Sequence, residues 1–180
     1  AISFVLPTYN CHCVQLVETL CRQCRMVQAE YGMHYEIVVA DDCSTDRSYV
    51  RSNSVIERWN NVRYIKLDHN LGRSAVRNLL AREAQHEWLV FIDGDLAVDR
   101  PDFVEKYALS EDDVVVGGTA IGDDANIWHN NLRYQYEKRC EPAHSAQQRM
   151  RLANREFRTT NFLVSRSAVI ANPFDEAFKH

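Results

Sequence analysis

The sequence predicts an α/β fold in which a largely parallel sheet is flanked by helices. Three observations carry that prediction. Four short runs, "ISFVLP", "YEIVVAD", "VRYIKL" and "EWLVFID", have the length and the apolar, β-branched composition of strands. Segments with helical apolar spacing separate them, and parallel neighbours need connections of that length. Each run also closes in a polar loop, so the loops gather outside the carboxyl ends of the strands, where sheets of this kind bind ligands.

The first run closes at Pro7, and "TYN" makes a loop whose Asn10 is placed to cap a helix running to about Glu30. Within that helix Cys13, Val17, Leu20, Cys21, Cys24 and Val27 fall on one face. Free cysteine behaves as a small buried hydrophobe, so the face reads as core. Zinc is the competing reading for Cys11, Cys13, Cys21 and Cys24 beside His12, but no second pair follows Cys21 and Cys24. Reduced thiols, with Cys43 and Cys140 lacking an obvious bridge partner, point to the cytoplasm. The second strand ends at Asp41 and Asp42, and "CSTDRS" leads into a helix expected from about Arg47 to Asn60. After the third strand come the loop "DHNLGR" and the helix "SAVRNLLAREA", with Val76, Leu79 and Leu80 facing inward.

Beyond the fourth strand the rhythm changes. "RPDFVEKYAL" reads as a helix capped by Asp99, and "DDVVVGGTAI" as a strand broken by Gly117 and Gly118. A mostly polar helical stretch is expected from about Asn126 to Glu156. "FRTTNFLVS" reads as another strand, and "SAVI" as a brief helix ended before Pro173.

With 180 residues, 46% of them apolar, and no linker composition, the chain suits one domain over residues 1–180 with a sizeable core. Residues 1–100 supply the converging loops, and residues 101–180 are expected to cover the rim and choose a second substrate. A net charge of -4 argues against a broad basic face for nucleic acid. No apolar run approaches the roughly 18 residues of a membrane span, and the start is not signal-like.

The stretch "VFIDGDL" carries the chemistry. Asp93 and Asp95 at i and i+2 of an extended chain point the same way, and their repulsion asks for a cation. Mg²⁺ or Mn²⁺ takes one or two carboxylates plus phosphate oxygens, which suits a diphosphate. Tyr9 offers a face on which a base can stack, and Asp42 can accept from a ring N–H or a sugar hydroxyl. Arg73 and Arg77 can reach phosphate with charged forks. Gly118, Trp128, Thr160 and Asn161 are candidates for contact with the acceptor or the donor sugar. Trp128, beside His129, has two readings: an acceptor groove or a cover for the core.

In order and spacing, "FVLPTYN", "IVVADDCSTD", "NLGRSAVRN" and "WLVFIDGDL", then "FRTTNFLVSRSAV" and "NPFDEAF", resemble the family 2 glycosyltransferases of the GT-A fold. The resemblance implies a GT-A type, Rossmann-like mixed sheet and inverting transfer from a nucleotide-sugar donor, UDP first, to a saccharide or lipid-linked saccharide acceptor. It places Pro7, Tyr9, Asp41 and Asp42 around the nucleoside, Arg77 near the diphosphate, and Asp93 and Asp95 as a DxD site for Mn²⁺ or Mg²⁺. Leu96 departs from the pattern, because many relatives carry a further acid there. The family's base follows a segment like "FDEAF", so it is expected beyond His180. Asp175 and Glu176 match only the lead-in, and the chain is expected to bind donor better than it turns it over. Synthesis of surface polysaccharide at the inner face of the membrane is the implied setting. Two rivals stand beside this reading: a noncatalytic nucleotide-sugar binding module, and a haloacid-dehalogenase-like phosphatase with Asp93 as nucleophile and Asp95 as acid.

Overall fold

A computed structural model of the chain describes residues 1–120, 130–132, 134–136, 146–151 and 157–178. Among them, six strands form one sheet: β1 (Ile2–Thr8), β2 (Tyr35–Asp41), β3 (Val62–Lys66), β4 (Trp88–Ile92), β5 (Val114–Val116) and β6 (Asn161–Ser165), in the order β3-β2-β1-β4-β6-β5. β3, β2, β1 and β4 run parallel, while β6 lies antiparallel between β4 and β5. The sheet is largely parallel, as the run spacing predicts, and mixed, as the resemblance implies. β6, from the second half of the sequence, pairs directly with β4 from the first.

Among the described residues, the helices with defined bounds are α1 (Val14–Tyr31), α2 (Arg47–Asn53), α3 (Arg73–Glu83), α4 (Phe103–Ala108), α5 (Ala146–Arg151) and α6 (Arg166–Ala171). Strand side chains alternate between two buried faces, which is why the central runs are apolar without a polar phase. Phe4, Leu6, Ile37, Val39, Val90 and Ile92 meet α1 and α4 on one face. Val5, Val38, Ala40, Leu89 and Phe91 meet Val76, Leu80 and Ala81 of α3 on the other. Cys13, Cys21 and Cys24 are buried in the first of these layers, as the helical face requires, and all are free thiols. Burial pushes the Cys13 thiol up to about 12 and those of Cys21 and Cys24 upward as well. Near neutral pH the native chain should therefore resist alkylation at these three residues and accept it after denaturation. Peptide mapping by mass spectrometry checks this, and ready labelling of the native chain would mean that α1 is not packed as described.

Three helix boundaries differ from the sequence expectation, each for a tertiary reason. Asn10 is not the cap of α1. Its backbone is left-handed, at φ 48°. Its side chain joins the next loop instead, donating to Thr45 Oγ1 at 2.9 Å and accepting from the Asp46 amide at 3.1 Å. α1 begins at Val14, and the Cys13 amide before it donates to Asn53 Oδ1 at 3.1 Å. That use of Asn53 accompanies the early end of α2, which gives way to a 3₁₀ turn over Ser54–Arg58 rather than continuing to Asn60. Asp99 likewise does not cap α4. The Val104 amide donates to Gln23 Oε1 at 3.0 Å, so a buried glutamine of α1 supplies that cap. Of the polar helical stretch expected over Asn126–Glu156, α5 is described; Trp128 and His129 lie outside the described residues.

Candidate functional site

The parallel register sets the site. Thr8 pairs with Asp41 and Val5 with Phe91, so β1, β2 and β4 end side by side and release their loops at one rim. Between these loops and the start of α3 lies a cleft of about 600 Å³, whose walls include Pro7, Tyr9, Asp42, Arg73, Arg77, Asp93 and Asp95. Tyr9 is 47% exposed, which leaves a ring face free for stacking.

Asp42 organises the loop before α3. Its Oδ1 accepts from the Leu71 amide at 2.6 Å and its Oδ2 from the Gly72 amide at 3.0 Å, while Asn70 donates to its carbonyl at 2.9 Å. Gly72 holds φ 89°, a conformation that L side chains rarely adopt. A carboxylate has about four acceptor positions, so Asp42 keeps capacity for a ligand. Asp41 has a different place. It is 2% exposed and accepts from the Ser44 amide, the Ser44 hydroxyl and the Tyr64 hydroxyl at 2.7, 2.8 and 3.1 Å. Its carboxylate builds the loop and does not line the cleft.

Arg77 and Asp93 form an ion pair, with Nη2 to Oδ1 at 2.6 Å and side chains only 8% and 17% exposed, respectively. Burial pushes the Asp93 carboxyl upward, Arg77 and Arg73 oppose that shift, and the charge of Asp95 adds to it. The Asp93 amide donates to the Thr160 carbonyl at 2.9 Å and the Gly94 amide to the Pro7 carbonyl at 3.1 Å. This turn is tied to both neighbouring elements.

The model of glycosyl transferase family 2 matches residues 3–172. The chain belongs to this family. Succinoglycan biosynthesis protein ExoO of Rhizobium meliloti (strain 1021) is 33% identical over 105 residues, 58% of this chain and 28% of that protein. The crystal structure of Staphylococcus aureus TarS 1-349 superposes with a TM-score of 0.63 at 20% identity, covering 99% of this chain and 51% of that one. Mannosyltransferase PcManGT from Pyrobaculum calidifontis, solved with GDP-Man and Mn²⁺, gives 0.56 at 18% identity over 97% of this chain and 47% of its own. The chain thus spans about half of these solved chains and less of the curated relative. The shared fold is GT-A, as the motif order implies.

Family 2 membership removes the support for the dehalogenase-like alternative. Of the acceptor-side residues expected of this family 2 chain, Gly118, Thr160 and Asn161 fall outside the cleft wall. Asn161 is 4% exposed; it accepts from the Tyr107 hydroxyl and donates to the Gly118 carbonyl at 3.0 Å, joining α4 and the end of β5 to β6. Thr160 meets the site through its carbonyl on Asp93, while its buried Oγ1 has no hydrogen-bond partner among the described residues. Asn10, Cys11, Asn70 and Val76 also line the cleft, although the sequence marks Asn10 as a helix cap, Cys11 for the zinc alternative and Val76 as core, and none of the four for a nucleotide. Only Asn70 had a local signal, as an Asn two residues before the loop glycine.

Gly94 is fixed by close approach. A Cβ there would lie 2.4 Å from Thr8 Cγ2 and 2.9 Å from the Pro7 carbonyl oxygen. Gly94→Ala should push the Asp93–Asp95 turn off β1, lowering stability by about 1–3 kcal/mol and weakening ligand binding in the cleft. Thermal unfolding and calorimetry check the two effects, and a variant with wild-type values for both would contradict the close packing.

Proposed function

We propose that this chain carries the donor site of a metal-dependent, inverting glycosyltransferase that uses a nucleoside-diphosphate sugar, UDP-linked first, and a saccharide or lipid-linked saccharide acceptor. One observation carries the reading: four loops distant in sequence bring an exposed aromatic face, two arginines and the Asp93–Asp95 pair into one cleft. TarS has been solved in complex with UDP, which supports the choice of nucleotide.

The donor set fits a hard divalent ion. Asp93 Oδ1 is held by Arg77, while Asp93 Oδ2 and both oxygens of Asp95 make no hydrogen bond among the described residues. Among the described residues, no group of three or more His, Cys, Asp or Glu side chains gathers there to hold an ion alone. Two carboxylates completed by phosphate oxygens match the habit of Mg²⁺ and Mn²⁺. Asp93 and Asp95 would hold that ion, which when bound supplies charge neutralisation for a departing diphosphate.

The protein's own groups supply the rest. Tyr9 and Pro7 face the nucleoside, and Asp42 accepts from its ring or ribose. Arg73, exposed at the first turn of α3, meets phosphate oxygens. Arg77 fixes the rotamer of Asp93 and adds positive charge behind it. Gly118, Thr160 and Asn161 shape the acceptor side, Asn161 through its hydrogen bonds to neighbouring backbone and side chain. No helix among the described residues is long and apolar enough to cross a membrane.

Calorimetric titration with UDP, GDP and dTDP, each with and without Mn²⁺, tests the proposal. One nucleotide should bind, and only with the metal. Failure of all of them under both conditions would overturn the donor reading.

A further inference from the structure

Asn78 follows Arg77 on α3 and is 3% exposed, yet it lines no part of the cleft. Its amide is used on the segment after α6. Oδ1 accepts from the Phe174 amide at 2.9 Å, and Nδ2 donates to the Phe174 carbonyl and to Glu176 Oε1, each at 2.9 Å. A side-chain amide carries the same donor and acceptor as a peptide unit, so Asn78 serves as a one-residue strand partner for backbone that belongs to no sheet. The ring of Phe174, seated in this way, lies 5.8 Å from Phe91 and 6.4 Å from Phe162. Arg77 Cζ sits 5.9 Å from the centre of the same ring. The guanidinium therefore has Phe174 against it and Asp93 at its tip. Two adjacent residues of one helix link the cleft to residues 174–176.

We infer that Asn78 is a positioning residue: by seating Phe174 it holds Arg77, and through Arg77 it holds Asp93, in the arrangement that receives the donor's diphosphate. The inference rests on the donor reading above. Linkage makes it reciprocal, so bound nucleotide stabilises the seated segment as much as the seated segment favours nucleotide.

Asn78→Asp keeps the acceptor for the Phe174 amide, removes both donated bonds and sets a second carboxylate against Glu176. Adding Glu176→Gln restores a donor and acceptor pair at that contact. The nucleotide that binds among UDP, GDP and dTDP is titrated with Mn²⁺ into wild type, Asn78→Asp and the double variant, with melting temperatures recorded alongside. About tenfold weaker binding is expected for Asn78→Asp, with recovery to within about threefold in the double variant. In wild type, nucleotide and Mn²⁺ should also slow hydrogen exchange of the peptide spanning residues 174–178. Wild-type affinity in Asn78→Asp, or a loss that Glu176→Gln does not repair, overturns the inference and leaves the donor reading standing. Should the single variant unfold, exchange in wild type decides: an unchanged rate at saturating nucleotide overturns the inference. Absence of nucleotide binding by wild type overturns the donor reading and this inference with it.

Discussion

Asp95→Asn is expected to lower metal-dependent nucleotide affinity by a factor of about 100 or more while leaving the melting temperature within about 2 °C of wild type. The two halves of that result come from separate features. Asp95 is exposed, and no hydrogen bond or ion pair among the described residues holds its carboxylate, so the fold loses nothing with its charge. Its oxygens stand in the cleft wall beside Asp93, where a hard cation needs anionic oxygen and gains little from a neutral amide. The sequence alone suggests that Asp93→Asn would behave in the same way, and the ion pair at 2.6 Å corrects this: Asp93→Asn also strands a buried guanidinium. Asp95 is therefore the cleaner probe. Calorimetry with UDP and Mn²⁺, set beside a thermal melt, reads both halves. Retained metal-dependent binding in Asp95→Asn would remove the paired-carboxylate site from the mechanism.

The largest stability effect belongs to Arg77→Met. The methionine fills much of the same space against Phe174 but leaves the half-buried Asp93 carboxylate unpaired. Breaking a buried pair by removing one partner costs about 3–5 kcal/mol, because the remaining charge keeps its desolvation penalty without its compensation. In a chain of this size that corresponds to a fall in melting temperature on the order of 10 °C. Burial already pushes the Asp93 carboxyl upward with Arg77 in place, so its loss leaves desolvation less opposed. Adding Asp93→Asn to Arg77→Met removes the stranded charge and should recover a substantial part of the loss. A single variant as stable as wild type, or a double variant no better than the single, would show that the pair is not what holds this end of β4.

The sheet was legible because its signals are local and redundant. Each central run is apolar on both phases, and that alone marks a strand buried on two faces. The cleft was legible for a related reason: residues that follow parallel strands must emerge at one rim, so Pro7, Tyr9, Asp42, Asp93 and Asp95 could be grouped without coordinates. What stayed hidden is a matter of partners distant in the chain. Asn53 serves the start of α1, Gln23 serves the start of α4, and Asn78 serves Phe174, so three amides act on backbone that no local pattern pairs with them. Asp41 and Asp42 show the same limit at closer range. As neighbours after one strand they look equivalent, yet strand alternation turns Asp41 toward Tyr64 and leaves Asp42 toward the loop of Gly72.

Placing β4 between β1 and β6 has a consequence for when the site comes into being. Local pairs such as β1 with β2 close modest loops, whereas β4 must find both the amino-terminal strand and a strand from far along the chain. Loop closure over such separations is entropically costly and sets the pace of folding in sheets of this kind. The Asp93 turn is held at one edge by the Pro7 carbonyl and at the other by the Thr160 carbonyl, so it is complete only after both encounters. Competence to bind should lag behind the gain of helix and of hydrophobic collapse during refolding. A nascent chain would carry its helices and its β1–β2 pairing before it carries its cleft.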